Sequence, residues 1–265
     1  MYAFNYLRAK SVDEAVKAVK GASEGKFLAG GHTLIPTLKQ RLAHPSDLVD
    51  ISGIKDLQGL SVAGGTVTVG ACTRHGDVAG SKDVQKAIPA LAHLADTIGD
   101  PQVRNRGTIG GSIANSDPGA DYPAAILGLG ATVHTNKRSI AADQYFKGLF
   151  ETALEDGELI TKVTFPVPDR AGYEKFPQPA SRFALVGVFV SQSKAGVRVA
   201  VTGAGSCAFR VAEMEKALGA KFAPESVASI KVPSKGLNAD IHGSAEYRAH
   251  LVTVMAKRAV ARALG

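Results

Sequence analysis

The sequence predicts an α+β fold, on three observations. Strand-like runs adjoin one another across short turns, at 61–69 over Gly64-Gly65 and at 183–202 over Lys194-Ala195-Gly196. Helical runs gather around these pairs. Strand and helix patterns do not alternate regularly enough for a single doubly wound sheet.

The elements follow in order. Ser11-Val12-Asp13-Glu14 has capping-box spacing, in which hydroxyl and carboxylate each serve an orphan amide. The helix it opens turns Val12, Ala15, Val16 and Val19 inward and should stop at Gly21. Residues 26–29 read as a short buried strand delivering Gly30 and Gly31. Residues 33–42 have helical spacing, with Leu34, Leu38 and Leu42 on one face and Pro36 tolerated in the first turn. Residues 47–51 alternate as a strand, and 61–69 form a hairpin. A helix over 84–98 is disrupted early by Pro89, and 108–115 is a glycine-bearing loop or strand. A short helix at 123–129 precedes strands at 130–134 and 159–165. The stretch 166–179, with Pro166, Pro168, Gly172, Pro177 and Pro179, is the candidate domain boundary. Beyond it lie a strand at 183–192, a strand at 197–202, a helix at 209–218 and a closing helix at 246–264. No internal repeat or low-complexity tract is present.

Bulk composition narrows the class. A chain of 265 residues allows one large domain or two smaller ones and buries enough surface to need no staples. Cys72 and Cys207 stand alone, which favours a reducing compartment and argues against a resident iron–sulfur cluster or structural zinc. No apolar run reaches membrane-span length, and the N-terminus, with Arg8 and Lys10, lacks a signal-peptide core. The expectation is a mature, cytoplasmic chain. The net charge of +7 is scattered, with no basic block beside stacked aromatics. That argues against nucleic acid and suits an acidic partner or an anionic cofactor.

Two stretches carry the chemistry: Ala29-Gly30-Gly31-His32-Thr33-Leu34-Ile35-Pro36 and Arg104-Asn105-Arg106-Gly107-Thr108-Ile109-Gly110-Gly111-Ser112. Each sets paired glycines and a hydroxyl beside an apolar run, so backbone amides meet an anion without Cβ atoms intervening. Asp117-Pro118-Gly119-Ala120-Asp121 follows and offers carboxylates of the kind a ribose takes. Two remote loops suit two linked phosphates, and the reading is a flavin dinucleotide site. A rival lies in Val199-Ala200-Val201-Thr202-Gly203-Ala204-Gly205-Ser206-Cys207-Ala208, the outline of a strand, G-x-G-x-x-A and a helix. The second parallel strand with its ribose carboxylate is missing, so a tight turn is the plainer reading. The seven histidines show no metal-ligand spacing, and no serine or cysteine sits in a nucleophile elbow. A redox cofactor fits a chain without an acid, base or nucleophile set.

The first stretch resembles the A-G-G-x-S-L-x-P motif of the FAD-binding medium subunit of molybdenum hydroxylases, the carbon monoxide dehydrogenase and xanthine dehydrogenase family. The second resembles its R-N-x-G-T-I-G-G-N motif. Asp117-Pro118 through Asp121-Tyr122-Pro123 follows as in that family, and Ser244-Ala245-Glu246-Tyr247-Arg248 with Leu251 and Arg258 resembles its last helix. The resemblance implies a two-subdomain FAD-binding fold like that of vanillyl-alcohol oxidase, over 1–57 and 58–172. It also implies a C-terminal α+β domain over 173–265 with a three-stranded antiparallel sheet. By motif match, Ala29, Gly30, Gly31, His32, Thr33, Leu34 and Ile35 should wrap the diphosphate. Thr108, Gly110, Gly111 and Ser112 should continue that contact. Asp121 should meet the adenosine ribose, and Tyr173 and Lys175 belong near the flavin ring.

Two departures stand out. Ser112 replaces an Asn, and 176–182 lacks the basic-then-Asp spacing of carbon monoxide dehydrogenase chains. The implied function is electron transfer: FAD on this chain takes electrons from [2Fe-2S] clusters on a small subunit, after oxidation at a molybdopterin on a large subunit. The implied assembly is a heterotrimer, itself able to dimerise. The alternatives are a stand-alone FAD-binding module and a flavin reductase related to the cell-wall enolpyruvyl reductases.

Overall fold

The computed structural model describes residues 1–265. The chain begins with β1 (Asn5–Arg8), α1 (Val12–Gly21), β2 (Gly25–Leu28), α2 (Leu34–Lys39) and β3 (Asp47–Asp50). These strands form a parallel sheet in the order β1-β3-β2. The Ser11 cap holds as expected, its Oγ accepting from the Glu14 amide at 3.2 Å. The Glu14 carboxylate reaches the Lys10 amide, one residue earlier than the standard box. Helix α2 is shorter than its apolar spacing suggests. Arg41 turns left-handed at φ 60°, and Leu42, expected on the inner face, is 74 % exposed.

Next come β4 (Leu60–Ala63), β5 (Thr66–Gly70), α3 (His75–Gly80), α4 (Lys82–Ala87), α5 (Pro89–Asp96), α6 (Pro101–Arg104), α7 (Ile109–Asn115) and α8 (Tyr122–Leu129). They are followed by β6 (Thr132–Thr135), β7 (Ser139–Ala141), α9 (Ala142–Tyr145), β8 (Phe146–Gly148), β9 (Glu151–Thr152) and β10 (Ile160–Pro166). An antiparallel sheet runs β4-β5-β10-β6-β7. Pro89 does more than disrupt one helix. It starts α5 as its first residue, after α4 has ended at Ala87. The stretch expected as loop or strand at 108–115 is helix α7, capped by Thr108.

The chain closes with β11 (Arg170–Pro177), β12 (Ala184–Ser193), β13 (Gly196–Thr202), β14 (Phe209–Arg210), α10 (Ala212–Ala220) and α11 (Ala245–Leu264). Three corrections belong here. Within the proline-rich stretch, residues 170–177 form the edge strand β11, which takes Pro177 at its end, so the chain there is not the unbroken break its composition suggests. The sheet has four strands, not three, since Phe209–Arg210 adds to Val201 and Ala200 instead of opening the helix. That helix begins only at Ala212. Helix α8 is apolar all round and every residue of it is buried. It packs on β12 and β13 and shares one core with the middle sheet, Tyr173 and Phe189. No helix is long and apolar enough to cross a membrane.

Candidate functional site

The site is built from the bend between β2 and α2. Gly31 stands at φ +74°, which glycine adopts without strain. A Cβ on Gly30 would lie 2.0 Å from the Arg106 carbonyl oxygen and 3.0 Å from Gly107 Cα. The two glycine stretches, more than seventy residues apart, therefore touch through main chain, and only glycine permits it. The amides of Gly30, Gly31, His32, Thr33 and Leu34 donate to no acceptor in the chain. Five consecutive donors of this kind on a cleft wall are an anion cradle.

The second stretch works differently. Thr108 Oγ1 accepts from the Gly111 amide at 3.2 Å, and Ser112 donates to the Thr108 carbonyl at 3.0 Å. Ile109 donates to Thr73 O at 3.2 Å and Gly110 to Ala71 O at 2.8 Å. These amides are committed within the chain, so they fix the wall more than they offer donors. Gly110 is required by packing, since a Cβ there would meet Ala71 at 2.7 Å. A Cβ on Gly111 would find only Thr108 Oγ1, at 3.0 Å.

Between the two stretches lies a cleft of about 580 Å³. Ala29 through Leu34 line it, as do Thr108, Gly110, Gly111, Ser112 and Asp121. Ile35, Tyr173 and Lys175 are not on its wall. Ile35 packs beneath the loop against Gly31. The cleft also takes His75, Ile98, Gly99, Leu154, Glu158, Ile160 and Phe183, none of which belongs to a motif in the sequence.

Asp121 is joined to the two residues expected at the other end of a ligand. Tyr173 donates to Asp121 Oδ1 at 2.5 Å, and Lys175 Nζ lies 2.9 Å from the same oxygen. Lys175 also donates to Thr97 O at 2.9 Å and Arg182 O at 2.7 Å. Burial pushes the Asp121 carboxyl up, with Lys175 and Tyr173 opposing it. Burial and the Asp121 charge raise the Tyr173 phenol well above its ordinary value. Asp121 Oδ2 receives no donor from the chain, while Asp121 itself lines the cleft. A ligand at this end of the cleft would meet the Asp121 carboxylate, which Tyr173 and Lys175 hold from behind. Ile98, Gly99 and Phe183 belong to the same neighbourhood: Arg182 donates to Gly99 O at 3.0 Å, and Phe183 packs on Gly119.

Two further ionisable groups sit in the wall. Burial, helped by the His32 and Arg104 charges, pushes His75 down to about 4, and its Nδ1 has no hydrogen-bond partner. Burial alone would raise Glu158. Hydrogen bonds from Arg138, the Glu155 amide and Thr135 outweigh it and hold the carboxyl at about 2.

A glycine bend with five open amides, facing a second glycine stretch across a partly apolar cleft, has the donors and the room that a dinucleotide-binding protein needs. Residues 2–168 match the family described as the FAD binding domain in molybdopterin dehydrogenase, and the chain belongs to that family. It is 37 % identical over 281 residues to the carbon monoxide dehydrogenase medium chain of Hydrogenophaga pseudoflava, covering 97 % of this chain and 96 % of that one. It is 36 % identical to the glyceraldehyde dehydrogenase medium chain of Sulfolobus acidocaldarius, with the same coverage. The solved carbon monoxide dehydrogenase of H. pseudoflava, in a form lacking the Mo-pyranopterin moiety of its molybdenum cofactor, superposes with a TM-score of 0.90 over 99 % of this chain and 98 % of that one, at 36 % identity. Quinoline 2-oxidoreductase from Pseudomonas putida 86 gives a TM-score of 0.90 at 29 % identity, over 99 % of this chain and 97 % of that one. The protein is a medium, FAD-binding oxidoreductase subunit of the molybdenum hydroxylase type.

Proposed function

We propose that this chain carries electrons out of a molybdenum hydroxylase. FAD bound here would take them from [2Fe-2S] clusters on a small subunit and pass them to an external acceptor, substrate being oxidised at molybdopterin on a large subunit. The observation that carries the reading is the run of five unpartnered amides from Gly30 to Leu34. They fit a diphosphate, and the Gly30–Gly107 contact leaves no Cβ in the way. FAD, when bound, supplies the ability to take up an electron pair and release it. The chain's residues bind, orient and exclude water. The amide bend would hold the diphosphate, and the glycine wall at Gly110 and Gly111 would shape its far side. Asp121, held in place by Tyr173 and Lys175 and beside Ile98 and Phe183, would meet the flavin ring. That assignment moves Asp121 from the ribose to the ring, because it touches both residues expected there.

The organisation we propose is two subdomains cradling FAD at 1–57 and 58–172, then a C-terminal domain at 173–265. The assembly is a heterotrimer in the cytoplasm, where Cys72 and Cys207 stay reduced. The test is the visible spectrum of the purified complex, with mass identification of the released flavin. A yellow complex whose flavin bleaches anaerobically with substrate of the molybdenum subunit supports the reading, and a colourless one that ignores added FAD overturns it. Gly30→Ala should empty the site, since its Cβ meets Arg106 O, and stoichiometric FAD in that variant would remove the cradle assignment.

A further inference from the structure

A second cavity of about 690 Å³ lies behind the glycine bend. Ala29, Gly30, Cys72 and Thr108 line both it and the cofactor cleft, so a single layer of chain separates the two. Apart from Leu60 its other side chains are polar, and they include Arg8 from the end of β1, Arg74 before α3 and Arg106 before Gly107. All three arginines are exposed.

The charge at this cavity is not balanced from within. Most arginines of the chain have partners. Arg104, Arg138, Arg182, Arg198, Arg210, Arg248 and Arg262 are hydrogen-bonded, while Arg41 and Arg170 lie over aromatic rings. Arg8, Arg74, Arg106 and Arg258 have no hydrogen bond, ion pair or ring, and three of these four face one cavity. Asp77 is the one acid on its wall. Asp50, the acid that feels Arg8, is already taken by the Tyr6 hydroxyl at 2.6 Å and the Ser52 amide at 2.8 Å. Guanidinium groups without partners on a concave polar surface focus a positive potential and match carboxylates in planar pairs.

We propose that this three-arginine cavity is the docking site for an acidic segment of the electron-donating partner subunit. The proposal rests on the electron-transfer reading above. All three guanidiniums are open to solvent, as charges that steer a protein partner are. A segment seated there stands behind Gly30 and Thr108, one layer of chain from the cofactor cleft, which would hold the donor subunit against the unit that binds the cofactor.

The test measures assembly of the FAD-loaded chain with its iron–sulfur partner across a salt series. Arg74→Glu, and Arg74→Glu with Arg106→Glu, should each weaken association, by about tenfold per arginine at low salt, with the difference shrinking as salt rises. FAD content should stay at wild-type level, and lysine at both positions should restore most of the affinity. Association unchanged by charge reversal overturns the proposal. So does FAD loss with assembly intact, which would assign the cavity to the cofactor. Tight binding of inorganic pyrophosphate that leaves assembly unaffected overturns it in favour of a small-anion site. If the wild-type chain neither holds FAD nor joins an iron–sulfur subunit, the electron-transfer reading fails first and the docking site falls with it.

Discussion

His75 carries the largest consequence for behaviour in acid. Its folded value of about 4 lies below the ordinary 6.5, so between those values the unfolded chain binds a proton that the folded chain refuses. Stability from this group is full above pH 6.5 and falls as the pH drops toward 4, by about 3 kcal/mol. Urea midpoints measured from pH 7 to pH 4 should show that slope, and His75→Gln should flatten it. Lys175 makes the complementary case. Lys175→Met strands the Asp121 carboxylate in a buried site, and urea unfolding should report a loss of about 3 kcal/mol at pH 7. The loss should shrink in acid, where Asp121 takes a proton. The glycine bend was legible residue by residue, because paired glycines beside a hydroxyl are a local signal. The Asp121–Tyr173–Lys175 trio was legible only as three separate residues. Their contact joins positions 52 or more apart in the chain and depends on how α8 packs on β12, the strand beside β11.

At the scale of elements, Gly172 lets strand β11 and helix α11 approach through main chain. A Cβ there would stand 2.0 Å from Ala259 O and 2.9 Å from Ala263 N, so Gly172→Ala has to push α11 away from β11. The expected cost is about 2–3 kcal/mol, read as a lowered denaturant midpoint without loss of helical signal. Elements set by local chemistry were visible in the sequence. The β4–β5 hairpin has Gly64 at φ +55° and Gly65 at +72°, the left-handed pair such a turn requires. Helix α11 follows from its Ser244 cap and twenty-residue apolar stripe. Elements set by tertiary context were not. Glycines are poor helix formers, yet α7 exists because Thr108 caps it and Thr73 and Ala71 take its first amides. Strand β11 was hidden by prolines that an edge strand tolerates at its end.

The whole molecule gains stability from what it binds. FAD at about a hundred times its dissociation constant should add about 2.7 kcal/mol. For a chain of this size that is a rise of about 5 °C or more in melting temperature, checked by calorimetry over an FAD series. AMP, with one phosphate, should give a smaller rise. The cores of the molecule are unequal. Helix α8 ties the middle and C-terminal sheets into one apolar mass, while the parallel sheet keeps a small core of its own around Ala15, Val49 and Leu57, with every residue of β1 exposed. Hydrogen exchange should therefore be uneven, slowest at the amides of α8 and β12 and fastest through the β1-β3-β2 unit. Because one lip of the cleft belongs to that unit, such opening would give the dinucleotide an exit without the rest of the chain coming apart.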